Sequence, residues 1–152
     1  MLELKIAGAD EIGAELQKLP KRLQGEAAMS SLVRATAPLV SAVKALATSR
    51  TGALKKSIGF RLRRYRSGKV LFVAIGPRRG VFGPDGEQPS KYAHLIERGH
   101  YTKGDKKWVA AQPFMRPAWL TGGRAVLDRF NQLFGKSIIA ELAKRKNKRV
   151  KK

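Results

Sequence analysis

The apolar residues of this chain follow a helical period in two long stretches and a two-residue period in a short stretch between them. From residue 21 to about residue 48, an alanine-rich segment repeats apolar side chains every three or four residues, which predicts a long amphipathic helix. The alanines leave a narrow ridge that permits close packing of helices, or they reflect helix propensity alone. Pro38 lies inside this segment and removes one backbone donor, so we expect a kink or a break there. A second apolar stripe over residues 116–142 predicts another long helix, weakened by two adjacent glycines.

Between these stretches the pattern is typical of β-structure. Over residues 58–63 every second residue is apolar, which predicts a strand with one basic face. Residues 66–69 are turn formers, and residues 70–75 form an apolar run rich in β-branched and aromatic side chains. Residues 2–6 alternate as well and predict a further short strand. We therefore predict an α+β fold, in which a small antiparallel sheet with a central β-hairpin packs against two long helices.

Shorter elements are predicted from local start and stop signals. Glycine and proline crowd residues 76–90, so a long loop is expected there. The other expected elements are a short helix over residues 10–19, a short helix over residues 51–57 capped by Thr51, a helix over residues 92–98 stopped by Gly99, and a strand over residues 108–111.

We predict one domain over residues 1–143, followed by a basic tail over residues 144–152. Seven of the nine tail residues are lysine or arginine. Because like charges in such a block repel one another, the tail is expected to be flexible on its own.

Positive charge dominates the composition. The 152 residues include 32 lysines and arginines against 11 acidic residues, a formal net charge of +21, which predicts attraction to polyanions or to acidic protein surfaces. Cysteine is absent, which excludes disulfide scaffolds, thiolate metal sites and cysteine nucleophiles. Neither a signal peptide nor an apolar run long enough to cross a membrane is predicted, so we expect a soluble protein with no membrane partner.

The residues that usually carry catalysis or metal binding form no recognisable set. The only histidines are His94 and His100, with Glu97 between them. On a helix, residues six apart point about 120° away from each other, so this spacing does not match the paired histidines of a zinc-binding helix. No phosphate-binding glycine motif occurs, and the acidic residues are scattered. We therefore predict a protein that is not an enzyme, with no catalytic residue, no cofactor and no metal.

The basic residues are concentrated around the predicted hairpin. Between Arg50 and Arg79 there are ten basic residues and no acidic one. Arg61 and Arg63 share a strand face with Tyr65, a row that could meet phosphates or carboxylates. A solvated strand face, or a surface that pairs with acidic subunits, explains the same pattern. The candidate residues for contact with DNA or with an acidic partner are Arg61, Arg63, Arg64, Arg66, Arg78 and Arg79.

Two phrases in the second half of the chain form a paired pattern, residues 92–99 (YAHLIERG) and residues 111–118 (AQPFMRPA). Together with residues 51–58 (TGALKKSI) ahead of the hairpin, they resemble the tail-component family of long-tailed bacteriophages, whose type member is gene product ten of phage Hong Kong ninety-seven. The resemblance spans roughly residues 2–142. The motif residues, which we take as structural or subunit-interface positions, are Tyr92, Glu97, Gly99, Pro113, Phe114, Arg116 and Pro117.

The resemblance implies a structural virion protein of the neck or tail-completion type, which acts in head–tail joining as a ring-forming subunit. The partners it implies are further copies of the chain, connector or portal proteins, and tail-terminator or tail-tube proteins, with phage DNA passing through the ring. It also implies a place in the virion neck or tail, reached through the host cytoplasm during assembly. The rival functions are a basic nucleic-acid-binding protein of ribosomal or nucleoid type, and a small basic ribonuclease using Arg61, Arg63 or His94.

The motif residues also have a physical interpretation of their own. Pro113 and Pro117 stiffen the entry to the last helix, where Pro117 is tolerated in the first turn. Phe114 would anchor that entry in the core. Glu97 is an isolated carboxylate among basic residues, and we expect it to pair with Arg116 inside the fold or across a subunit boundary. The alternative is a solvent-exposed glutamate at a helix end.

Overall fold

The structure is a computed structural model that describes residues 21–48, 50–65 and 70–150. The described residues form two compact units: residues 21–35 with 128–150 make one, and Thr36–Leu127 make the other. The predicted strand over residues 2–6, the predicted helix over residues 10–19 and the predicted turn over residues 66–69, with Arg66, lie outside the described residues.

Four helices and two strand pairs make up this part of the chain. They are α1 (Lys21–Leu46), α2 (Ala53–Ser57), β1 (Ile58–Tyr65), β2 (Val70–Pro77), α3 (Pro89–Arg98), β3 (His100–Tyr101), β4 (Trp108–Val109) and α4 (Met115–Val150). Strand β1 pairs antiparallel with β2, and β3 pairs antiparallel with β4. The α+β fold predicted from the sequence, with two long helices and a central hairpin, is confirmed.

Both long helices continue through a point where the sequence predicts a break or an end. Helix α1 continues through Pro38, so the predicted break is not found. Pro38 and Arg34, whose carbonyl loses its partner, are both exposed, so water can satisfy that carbonyl. Helix α4 continues to Val150, across the boundary at residue 143 where the sequence predicts a tail. Lysine and arginine are good helix formers, and the helix can therefore propagate into a basic segment.

The unit formed by Thr36–Leu127 has a core of its own. Leu39 and Val43 of α1, Leu54 of α2, Ile58 of β1 and Phe114 are all buried. Its helices approach closely at a glycine: a Cβ atom on Gly122 of α4 would lie 3.3 Å from Cδ1 of Leu39. The core of this unit is thus built from aliphatic side chains around one aromatic ring.

The other unit is a helix pair that meets through small residues. Ser31 of α1 and Ser137 of α4 lie with their Oγ atoms 3.3 Å apart. Ala35 and Ile138 are buried beside them. Small side chains allow two helices to approach closely, in agreement with the alanine-rich face predicted for α1.

Candidate assembly interface

The carboxylate of Glu97 caps the N-terminus of helix α4. Its Oε2 accepts hydrogen bonds from the backbone N–H groups of Phe114 (2.8 Å) and Met115 (3.0 Å), and its Oε1 accepts one from Arg116 (2.9 Å). The first N–H groups of a helix have no partner within the helix, and the helix dipole favours a negative charge at that end. Glu97 therefore joins the end of α3 to the beginning of α4.

The electrostatics of Glu97 agree with this geometry. Burial by itself would raise the pKa of the Glu97 carboxyl, but the backbone N–H groups of Met115, Phe114 and Arg116 and the charge of Arg98 outweigh burial and lower it. The ionised form is therefore the one that the folded chain stabilises. The hydrogen bond that joins Glu97 to Arg116 is made by the backbone amide of Arg116.

Three further motif residues, Pro113, Phe114 and Pro117, lie in or directly before the first turn of α4. Phe114 is 0% exposed, and Ala118, one turn further along α4, is also fully buried. Pro117 lies in the first turn of α4, while Pro113 precedes the helix and is exposed. The phrase over residues 111–118 thus builds one structure: a proline-stiffened entry, a buried ring and a helix start held by a distant carboxylate.

Gly99 is the point at which the chain turns from α3 toward β3. Its backbone has φ 74° and ψ 164°, a conformation open essentially to glycine alone. A Cβ atom at this position would lie 2.6 Å from Cζ2 of Trp108 and 2.8 Å from the carbonyl oxygen of Val109. Glycine is required both by the backbone angles and by the close approach of β4.

Replacing Gly99 with alanine is expected to lower the free energy of unfolding by about 1–3 kcal/mol, because the new methyl group meets both a disfavoured conformation and Trp108. Urea denaturation of the full chain measures the loss. Gly104→Ala is the matched control, since a Cβ atom there would have no neighbour within 4 Å. Equal stabilities of the two variants would contradict this account of Gly99.

A cleft of about 390 Å³ lies beside α3 and contains Tyr92. Thr51 donates a hydrogen bond to Oε1 of Glu87 (3.0 Å) at its wall. Burial, together with the charge of Glu87, raises the pKa of Tyr92 against a smaller opposite effect of Arg50. The hydroxyl therefore stays protonated at neutral pH. His100 also lines this cleft, and its Nδ1 atom is buried with no hydrogen-bond partner in the described part of the chain.

The second strand pair carries two exposed aromatic rings. Tyr101 and Trp108 lie opposite each other, with ring centroids 4.9 Å apart. The connecting turn is closed by Thr102, whose backbone N–H donates to the carbonyl of Lys107 (2.9 Å) and whose hydroxyl contacts Asp105. Hydrogen bonds thus hold this short hairpin together, and its two aromatic rings are exposed to solvent.

The hairpin β1–β2 places Arg61 and Arg63 on one face. Arg61 pairs with Ala74 and Arg63 with Phe72, and Tyr65 follows two residues further along the same face. Both arginines, Tyr65 and Phe72 are exposed or partly exposed. At the base of the hairpin, Arg78 and Arg79 line a groove of about 470 Å³ together with Arg61 and Arg63. We call this surface the basic face; it is the row that the alternating sequence predicts.

Many large apolar side chains of the described residues are exposed to solvent, whereas many of the buried residues are small. Both tryptophans, Trp108 and Trp119, are more than half exposed. Further exposed large residues are Phe60, Phe72, Phe82, Tyr101, Leu120, Leu127 and Ile139. The buried residues include five alanines: Ala35, Ala47, Ala53, Ala93 and Ala118. Large apolar side chains are thus exposed on several elements of the described chain.

Two groups of the sequence-predicted residues come together in space. Glu97, Phe114 and Arg116 come together at the start of α4, and Arg61, Arg63, Arg78 and Arg79 come together at the basic face. Arg64 belongs to the other face of β1, because neighbouring residues of a strand alternate. Sequence reasoning missed the exposed apolar residues. The exposure of Phe72 could have been predicted from the alternation along β2. That alternation places Phe72 opposite Arg63, on the same outward face of the hairpin.

Metal coordination and membrane insertion each require a recognisable arrangement of residues. Within residues 21–48, 50–65 and 70–150, no three histidine, aspartate or glutamate side chains lie close enough together to hold a metal ion. In the same ranges, no helix combines the length and apolar character needed to cross a membrane.

Comparison with known proteins gives one match. A family model described as "Bacteriophage HK97-gp10, putative tail-component" matches residues 10–99, which is more than half of the chain. The match covers the TGALKKSI phrase, the hairpin and α3 as far as Gly99, and it ends before the entry to α4. No curated protein and no solved structure matches the chain.

Proposed function

Because the chain belongs to the HK97-gp10-like family of bacteriophage tail components, we propose that it is a structural subunit of a long-tailed phage virion, acting where the head joins the tail or where the tail is completed. Its role in this proposal is to hold neighbouring proteins together and involves no chemical reaction. The partners would be connector or portal proteins on one side and tail-terminator or tail-tube proteins on the other.

The observation that carries this proposal is the distribution of large apolar side chains. In a monomer that works alone, aromatic residues contribute much of the core. Here Phe114 is fully buried, whereas Trp119 is 60% exposed and Leu120 is 74% exposed. Aromatic side chains are enriched where protein partners meet. These exposed side chains support the proposal that neighbouring subunits cover this surface.

A closed ring is the assembly that we favour. In a ring each subunit uses two different surfaces, one for each neighbour. Exposed apolar side chains lie on more than one element within Thr36–Leu127: Phe72 on β2, Tyr101 and Trp108 on β3–β4, and Leu120 on α4. Exposed apolar side chains on several elements suit a subunit with a different neighbour on each side. The ring would be part of the virion neck or tail and would assemble in the host cytoplasm.

Deleting the gene from the phage or prophage that encodes the chain tests the proposal. We expect separate heads and tails under the electron microscope and loss of infectious particles, both restored by a plasmid copy. Normal numbers of infectious virions from the deletion strain would overturn the proposal. Association of the purified chain with ribosomes or bulk host DNA would favour the nucleic-acid-binding alternative.

A substitution on α4 makes the test specific to the exposed surface. Leu120 and Leu127 are two helical turns apart and therefore lie on the same side of α4. Both are exposed, so replacing them with serine is expected to leave the fold intact while preventing head–tail joining in the complementation assay. Gln132→Ser, at another exposed position of α4, is the matched control and is expected to restore infectivity fully. Full infectivity of the leucine variant would remove this surface from the proposed interface.

A further inference from the structure

We propose that the basic face of the β1–β2 hairpin docks an acidic protein surface that also carries apolar side chains. The inference rests on the proposed function and deepens it, because it names the chemistry of one partner. The face is formed by the outward side chains Arg61, Arg63, Tyr65 and Phe72, with Arg78 and Arg79 at its base.

The face combines charge with apolar area. Its groove is lined by four arginines, and none of its lining residues is acidic. Arg61 and Arg63, two residues apart on β1, stand about 7 Å apart along the strand, with Tyr65 continuing the row. Tyr65 and Phe72 contact each other edge to face, with ring centroids 6.2 Å apart, and Phe72 is 50% exposed. A partner must therefore offer negative groups beside something apolar.

The base of the face is held in a fixed position. The backbone N–H of Arg78 donates to the carbonyl of Ser57 (2.9 Å), and its Nε lies 3.4 Å from the same oxygen. The stem of Arg78 crosses Gly59, where a Cβ atom would lie only 2.9 Å from Cδ and Nε of Arg78. The terminal nitrogens of the guanidinium remain as donors for a ligand. An arginine held in this way loses little conformational entropy on binding, and its planar fork suits a carboxylate.

Duplex DNA could contact the arginines of this surface through its phosphates, but it offers no good partner for the aromatic rings. A duplex presents its phosphates on the outside and keeps its bases stacked inside, so it offers exposed aromatic rings little to pack against. Protein interfaces, in contrast, are enriched in tyrosine, phenylalanine and arginine together. The exposed rings beside the arginines therefore favour an acidic protein surface over DNA.

Binding of three probes to the full chain tests the inference by fluorescence anisotropy. The probes are a short peptide repeating Glu-Tyr-Glu-Glu, a peptide of equal charge repeating Glu-Ser-Glu-Glu, and a short DNA duplex. We expect the tyrosine peptide to bind about tenfold more tightly than the serine peptide, because it can also bury apolar area on the face. The double variant Arg61→Gln/Arg63→Gln is expected to weaken tyrosine-peptide binding by about tenfold or more. Tyr65→Ser/Phe72→Ser is expected to remove the preference for the tyrosine peptide.

The matched control removes the same charge elsewhere. Arg124 and Arg129 are exposed arginines of α4, and Arg124→Gln/Arg129→Gln is expected to bind the tyrosine peptide within about twofold of the wild type. Equal weakening in this control would show attraction by net charge alone and would overturn the inference. Duplex binding at least as tight as tyrosine-peptide binding, insensitive to Tyr65→Ser/Phe72→Ser and falling steeply with salt, would assign the face to DNA instead.

The outcomes also separate this inference from the proposed function. If the Arg61→Gln/Arg63→Gln variant loses peptide binding and fails to restore infectivity, both are supported. If the deletion strain forms normal virions while the purified chain still prefers the tyrosine peptide, the proposed function fails and the docking chemistry stands. If virions require the gene and the chain shows no preference among the probes, the docking inference alone is wrong.

Discussion

Replacing Phe114 with alanine is expected to lower the free energy of unfolding by about 3–5 kcal/mol, a larger loss than we expect from any other single substitution in this chain. The ring is 0% exposed and lies directly before α4, so its loss leaves a cavity in the core at the point where the helix starts. Removing buried atoms costs both their transfer free energy and the cavity left behind. Urea denaturation of the full chain, followed by circular dichroism, measures the change.

Phe82→Ala is the control for Phe114. It removes the same atoms from a ring that is 59% exposed, so we expect a change within about 0.5 kcal/mol in the isolated chain. If the two variants lose equal stability, Phe114 does not anchor the entry to α4.

Replacing Glu97 with alanine is expected to lower the free energy of unfolding by about 2–4 kcal/mol, because three backbone N–H groups lose a charged acceptor at the start of α4. Glu97→Gln keeps one amide oxygen as an acceptor and is expected to lose less. Asp128→Ala removes an exposed acidic residue from the same helix and serves as the control, with an expected change within about 0.5 kcal/mol. A loss at Glu97 no larger than that at Asp128 would contradict the capping role.

The contribution of Glu97 is also expected to depend on pH. Folding lowers the pKa of this carboxyl below its ordinary value of 4.5, so the unfolded chain takes up the proton first as the solution is acidified. The stabilisation is therefore complete above pH 4.5 and is lost as the pH falls through the lower pKa of the folded state. The difference in unfolding free energy between the wild type and Glu97→Gln should shrink over this acidic range. A difference that is constant from neutral pH to about pH 3 would show that the carboxylate charge is not what stabilises the helix start.

Much of the architecture could be predicted because it depends on local pattern. The spacing of apolar residues predicts α1, α4 and the hairpin, and alternation along β1 predicts that Arg61, Arg63 and Tyr65 share a face. Gly99 is predicted to end α3 and does so. The end of α4 could not be predicted from charge, because helix propensity in its basic segment acts against repulsion.

The candidate site was less accessible to sequence reasoning. Glu97 and Phe114 were recognisable as motif residues, but the sequence suggests a pairing of Glu97 with Arg116 and does not distinguish a guanidinium from a backbone amide. The structure shows the amide. Exposed rings such as Trp119 and Tyr101 carry no mark in the sequence that separates them from core residues. Their exposure depends on which surfaces the rest of the chain leaves uncovered.

Most of the secondary structure and membership of the family therefore follow from the order of the amino acids, and the surplus of positive charge follows from the composition. The tertiary packing places the Glu97 carboxylate where it caps a helix that begins 18 residues later. It also buries Phe114 and leaves Phe72 exposed. The physical reason is the distance along the chain over which each kind of interaction acts. Backbone hydrogen bonding and side-chain periodicity act between near neighbours, whereas burial and capping require groups far apart in the chain to meet, and that meeting depends on how all the elements pack at once.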